Sequence, residues 1–507
     1  MMLPMAELKA FVGAAAKDLA RERDFAQFEI YAASSDNRIA RLAYTSDIPC
    51  RGVEEVKSIG ADGFQVRIAM RRDPHEIGGA SEAGDLSREG LRRVIERARH
   101  AAIVDPHFSG FASDSKKLPN AASSMSDLGR ASDSILTASA WRVLEGALAA
   151  FRKGFRGAPA QPGLVIGGDV SILHDRIAIA GSNLPEVRVD ESSHFVSSVT
   201  AIIESIDAKG TDTAVGGSVS GMRAAAGVLG RNAVRRALAL GTGVRPSSGN
   251  YRVVLGPQPI AEILNYMVMG SVTTGAFYAA SSAYQGRFGE RVMDDRVTLL
   301  DDPALRAGPL HRRLTCEGLP AARTDLVRAG RLVGLLSNVY ESHRLETDEA
   351  RKEKLGAAGN DVKFPPRSGY RLGEGGGRRF DAEPGASGTN VVLKARGAAS
   401  DRAMLQAVND GIYVGRIWYT YPINGQRAGD FTCTVSGDSY LIRGGKLAEP
   451  LAPNALRINA NISQVFEKPL AIGSRITPTI VWGSAETYFV PAIAADGLTF
   501  AAIGSNE

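Results

Sequence analysis

The stretch from Tyr251 to Arg291 constrains this chain most. It opens on the strand-like run Tyr251–Leu255, breaks at Gly256-Pro257-Gln258-Pro259, and continues as an apolar segment. Between Val253 and Gly286 the single charged residue is Glu262. A lone carboxylate in such surroundings is costly to bury unless it is paired, protonated or bound to a cation. The uncharged run from Ile263 to Gly286 has the length of a membrane span. Its Asn265, Thr273, Thr274, Ser281, Ser282 and Gln285, with three glycines, make a buried core helix plus loop the better reading, with no membrane partner.

A chain of 507 residues exceeds one hydrophobic core and predicts two or three domains. Its 44% hydrophobic and 23% charged residues are those of a globular protein, and 56 glycines imply many turns. The net charge of +5 comes from scattered arginines without interleaved aromatics, which argues against a nucleic-acid partner. Cys50, Cys316 and Cys433 show no paired spacing, so neither a disulfide framework nor a cysteine zinc site is expected, in keeping with a reducing cytoplasm. The first residues lack the order of a signal peptide.

Periodicity predicts an α+β fold. An N-terminal α/β domain over 1–240 carries helices on a mixed or antiparallel sheet, and a C-terminal β-rich sandwich or barrel spans 241–507. In the first part, helices are expected over 6–22, after Ser87, over 138–156 and over 222–240. A hairpin of 26–34 and 38–46 should turn at Asp36-Asn37, with strands at 63–71, 163–173, 176–181 and 193–206. Residues 107–137 and 209–221 read as loops. In the second part, 345–390 reads as a linker or mobile flap, and the later strands include Gly411–Trp418.

Several pieces in order carry a family likeness: Val253-Val-Leu-Gly256, Glu317-Gly318, Arg323-Thr-Asp-Leu-Val-Arg-Ala-Gly-Arg-Leu-Val333, Asp410-Gly-Ile-Tyr-Val414, and Gly429-Asp-Phe431 followed by Ser439-Tyr-Leu-Ile-Arg-Gly-Gly-Lys446. With them the chain resembles the TldD/PmbA (TldE) family, the so-called modulators of DNA gyrase, regarded as peptidase-related. The resemblance implies an active TldD-type subunit with an HExxxH helix and a downstream cysteine around zinc, and a TldE-type partner of the same fold without the metal. In that chemistry two imidazoles and a thiolate hold the ion, and the glutamate accepts a proton from its bound water. An i, i+5 histidine pair lies about 140° apart on a regular helix, so a bulged turn is needed.

In this chain the corresponding slot reads Ala261-Glu262-Ile-Leu-Asn-Tyr266. Glu262 keeps the general-base position as a relic, expected to be neutral or hydrogen-bonded by Tyr266 or a backbone amide. Ala261 has no donor atom, a phenol such as Tyr266 ionises only near ~10, and Pro469–Pro478 holds no cysteine. The expectation is therefore a degenerate metal slot at Ala261 and Tyr266, no metal and no cofactor in this chain, and zinc in a TldD-like partner. The chain would form a heterodimer with that partner, or a homodimer, and act on unfolded or modified peptides. Two alternatives stand beside it: a stand-alone hydrolase using Glu262 with metal ligands not visible in the sequence, and a non-enzymatic protein-binding regulator.

Other features read as structural. His75-Glu76 has no second histidine at motif spacing, Cys316 near His311 reads as a packed thiol, and Gly373–Gly377 lacks the lysine of a phosphate loop. Gly216–Gly221 before a helix reads as a turn rather than an anion site. The aromatic-rich strand Ile412–Trp418, with Ile412, Tyr413 and Val414 as its contacts, is the candidate to receive an extended peptide through main-chain bonds.

Overall fold

A computed structural model describes residues 2–72, 75–116, 127–156, 162–240, 243–372 and 377–504. Its first half is built on an eight-stranded antiparallel sheet whose main strands are Phe25–Thr45, Lys57–Met70, Glu76–Ala83, Leu164–Gly181, Arg188–Ile203 and Ala208–Gly216. Alternation decides the two faces of this sheet. Phe28, Ile30, Ala32, Ile166, Val199 and their neighbours meet the helices Met5–Leu19, Arg88–His100, Asp133–Gly154 and Val219–Leu240. The intervening residues, among them Glu29, Asp175, Asp190, Ser192 and His194, point to the other face and are also buried. Ser87 caps the second helix by accepting from the Gly90 amide at 3.0 Å.

The sheet is longer-stranded than the sequence suggests. Asp36 and Asn37 make no hairpin turn. They sit mid-strand, opposite Gly60 and Ile59 on one side and His174 and Leu173 on the other. Two complete ladders outweigh the local turn preference of Asp-Asn. For the same reason 164–181 is one strand, and the expected 209–221 loop is largely the strand Ala208–Gly216, tied by a Thr200–Thr211 hydroxyl contact of 2.9 Å. Part of the expected 107–137 loop (117–126) and most of Gly373–Gly377 (373–376) lie outside the described residues.

The second half holds two mixed sheets around the largest core cluster. One runs in the order 331–332, 324–328, 297–301, 390–395, 487–490, 477–480. The other runs 416–422, 430–437, 456–461, 493–502, 249–255, 411–414, 440–443, 446–450. The expected strand 411–418 is therefore two strands with different places. Gly411–Val414 is central, and Arg416–Pro422 is an edge. Gly415 is the joint: a Cβ there would fall 2.0 Å from the Asp438 carbonyl oxygen. The apolar stretch after Glu262 becomes short helical turns buried in this core, and no helix among the described residues is long and apolar enough to cross a membrane.

The 345–390 segment is not a free flap where it is described. Its Arg371 and Arg378 are fully buried against the polar face of the first sheet. Arg371 donates to Glu29 at 2.7 Å and to Gln65. Arg378 reaches Asp175 and Asp190, each at 2.7 Å. Glycine and charge content suggested mobility, but the buried carboxylates of a distant sheet require these partners. Removing one member of a buried pair leaves the other charged and uncompensated. Arg378→Met is expected to cost about 3–5 kcal/mol, read as a lowered urea midpoint. Adding Asp175→Asn and Asp190→Asn to it should restore part of the loss.

Candidate functional site

The helix Pro257–Ile263 starts from extended Gly256, with proline in its first turn, and packs Ile260, Ala261 and Ile263 into the second core. It passes without a break into a π turn, Leu264–Val268, and a 3₁₀ turn, Met269–Ser271. The π turn overlaps the Ala261–Tyr266 span, and a widened turn is the backbone feature an i, i+5 ligand pair requires. Ala261 is fully buried, Glu262 is only 6% exposed, and Tyr266 is half-buried.

Glu262 is held by Gln258, not by Tyr266. The Gln258 carboxamide donates to the Glu262 carboxylate at 3.0 Å and to the Ile417 carbonyl at 3.3 Å, and accepts from the Ile417 amide at 2.9 Å. It thus ties the helix to the edge strand Arg416–Pro422. The Tyr266 hydroxyl instead donates to the Trp482 carbonyl at 3.0 Å. Burial pushes the Glu262 carboxyl up to about 7, and the neighbouring Arg416 guanidinium offsets only part of this. Cys433 is fully buried, and desolvation together with the Glu262 charge pushes its thiol up, so it is no thiolate donor at neutral pH.

These residues do not fit zinc. Ala261 offers no donor, the Tyr266 phenol is committed to Trp482, and Cys433 is a buried thiol. Among the described residues no group of three or more His, Cys, Asp and Glu side chains could hold a metal ion.

Glu262 forms part of the wall of a cleft of about 860 Å³ between the two halves of the chain. Gln258, Arg416 and Trp418 line it on one side, and His194 and Asp169 of the first sheet on the other. Burial holds His194 down to about 4, so its ring is neutral at pH 7. At the rim Trp418 and Trp482 stand 6.2 Å apart between ring centres. Four buried polar atoms of cleft-lining residues have no protein partner: Asn37 Oδ1, Arg416 Nε, Ser436 Oγ and Asp438 Oδ1.

The structure does not bring Ile412, Tyr413 and Val414 to this site. Their strand is hydrogen-bonded on both sides, in parallel to Val253–Leu255 and antiparallel to Tyr440–Ile442, so no edge is free for a peptide. Arg416–Pro422 is one edge of this sheet; it holds the later part of the expected strand, and the split at Gly415 that separates the two parts is a tertiary event. Gln258 had a signal: it precedes Glu262 by one helical turn. Cys316 is buried and accepts from the Tyr31 hydroxyl at 3.4 Å, while His311 is exposed. At the Gly216–Gly221 helix start the first amides are satisfied by Asp127 and Ser218 side chains.

The fold and this helix define a family. Residues 248–502 match the model of the PmbA/TldA metallopeptidase C-terminal domain, and the chain belongs to the PmbA/TldD family. A metalloprotease from Methanothermobacter thermautotrophicus is 23% identical over 252 residues, 48% of this chain and 48% of that protein. An uncharacterized protein from Methanocaldococcus jannaschii is 22% identical over 236 residues, 45% of this chain and 49% of the relative. The chain thus spans about half the length of the curated relatives it matches. Among solved structures, TldE from Thermococcus kodakarensis superposes with a TM-score of 0.75 at 15% identity, covering 98% of this chain and 99% of that one. A proposed DNA gyrase modulator from Bacteroides thetaiotaomicron gives 0.73 at 16%, covering 98% and 99%. At these identities the structures establish the shared fold.

The raised Glu262 carboxyl has a measurable consequence. Its folded value lies above the ~4.3 of an unfolded chain, so the folded state binds the proton more tightly. Stability from this group is therefore full at low pH and declines as pH rises from about 5 to 8. Glu262→Gln removes that decline, and the variant should gain up to about 3 kcal/mol over the natural chain at pH 8 relative to pH 5. Denaturant midpoints at the two pH values read it. Asp301 and Glu317, pushed up by burial to about 7 and about 8, act with the same sign in both proteins and cancel in the difference.

Proposed function

We propose that this chain is the non-catalytic, TldE/PmbA-like subunit of a two-subunit peptidase. It pairs with a separate TldD-like subunit that carries zinc, and the pair acts on unfolded or modified peptides. One observation carries the reading. Glu262 stands on a buried helix that opens into a π turn, while the flanking positions are Ala261 and a Tyr266 bonded elsewhere. The helix has the form of a metal-binding helix without the ligands. The match to the PmbA/TldA metallopeptidase domain and the metalloprotease name of one relative support placing the chain in a peptidase system.

The peptide would be received beside the edge strand Arg416–Pro422, which borders the cleft. A second reading, a hydrolase working alone with Glu262 as base, draws on the carboxyl pushed up to about 7 at a cleft wall.

Co-expression with a TldD-like subunit and assay of an unfolded peptide separate the two. The proposed role predicts a stable mixed complex whose turnover stays within about twofold on Glu262→Gln, since losing a general base costs about 10²–10⁴-fold. Turnover by this chain alone that Glu262→Gln abolishes would overturn it.

A further inference from the structure

The cleft bears a charge that the protein leaves open. The charges acting on the Arg416 guanidinium are Asp438, Arg236, Asp212 and Glu262. Asp212 and Asp438 are already engaged by Arg236, at 2.7 and 3.3 Å. Glu262 is held by Gln258 and driven toward its neutral form by burial. Arg416 Nε has no protein partner although it is buried. A guanidinium so placed favours an anion, and its planar fork matches a carboxylate.

The surroundings narrow the anion. Arg416 and Trp418 are two residues apart on one strand and both line the cleft, and Trp418 stands against Trp482. An apolar side chain can lie on that indole pair while a carboxylate two residue-lengths away meets Arg416. Asp438 Oδ1 and Ser436 Oγ, also without protein partners, supply acceptors for N–H groups beside the carboxylate. A carboxylate among these acceptors disfavours a doubly charged phosphate. The strand edge is closed at Ile417, whose amide and carbonyl are both taken by Gln258. The ladder is also bulged between Trp418 and Tyr421, where Tyr419 has φ 55°. A chain laid along this edge from Pro422 is stopped at Ile417, which suits the end of a peptide rather than its middle.

We propose that the cleft captures the C-terminal end of an extended peptide, with its terminal carboxylate on Arg416 and an apolar side chain near the end against Trp418 and Trp482. This deepens the peptide-handling role above and rests on it.

Calorimetric titration of the full chain with one unstructured hexapeptide ending in leucine tests it, in three forms: free acid, N-acetylated free acid, and C-terminal amide. The two free acids should bind alike and the amide about 10- to 100-fold more weakly, the loss expected for one charge-assisted contact. Arg416→Gln should bring the free acid down to the amide, whereas Trp482→Ala, a change at an exposed rim residue, should weaken both forms equally. Equal binding of acid and amide by the natural chain would overturn the carboxylate assignment and leave the peptide-binding role standing. Failure of all three forms to bind would overturn the capture site, and the subunit role would then stand or fall on turnover by the mixed complex.

Discussion

The structure depends on buried arginines neutralising the carboxylates of an otherwise unusable sheet face. The eight-stranded sheet buries one face under four helices, as its apolar alternation requires. Its other face carries Glu29, Asp175 and Asp190, which could not be buried alone. Arg371 and Arg378 from the second half meet them and bring Tyr370 and Phe380 into a small apolar cluster with Tyr31 and Ile177. Where this cover ends, the polar face continues as one wall of the cleft, through Asp169 and His194. The cleft is thus a consequence of how the two halves are fastened. Its opposite wall is the Glu262 helix and the Arg416–Pro422 edge.

Glu262 joins the fold to the cleft. Its helix buries Ile260, Ala261 and Ile263 in the core and turns Gln258 and Glu262 toward the cleft. A carboxylate in that position would be tolerated in a metal site by the ion. In this chain Gln258 and protonation near neutrality take that part, and the same Gln258 closes the edge of the neighbouring strand. Glu262 is thereby accommodated in the cleft wall by a neutral partner.

Much of this was legible in the sequence. The isolated charge singled out Glu262, which lies in the wall of the cleft. Amphipathic spacing found the N-terminal helices, and Ser87 marked a true cap. What escaped detection was set by distant partners. Asp36-Asn37 looks like a turn until two ladders claim it. Arg371 and Arg378 look like surface charge in a glycine-rich linker until the carboxylates of a strand some 200 residues away or more are known. Gly415 looks like the middle of a strand, and only the approach of the Asp438 carbonyl explains why the chain leaves the sheet centre there and reappears at its edge. That crossing is why Arg416–Pro422, and not Ile412–Val414, lies at the sheet edge beside the cleft.

Cobalt(II) titration followed by visible absorption tests the central claim most directly, since a tetrahedral site with nitrogen or sulfur donors gives the ion a strong, characteristic band. The natural chain is predicted to give no saturable band, while Ala261→His with Tyr266→His, which places two imidazoles beside Glu262 across the π turn, is predicted to give one that saturates at a single equivalent. A saturable band from the natural chain itself would contradict the account, because the Glu262 helix would then belong to a working metal centre.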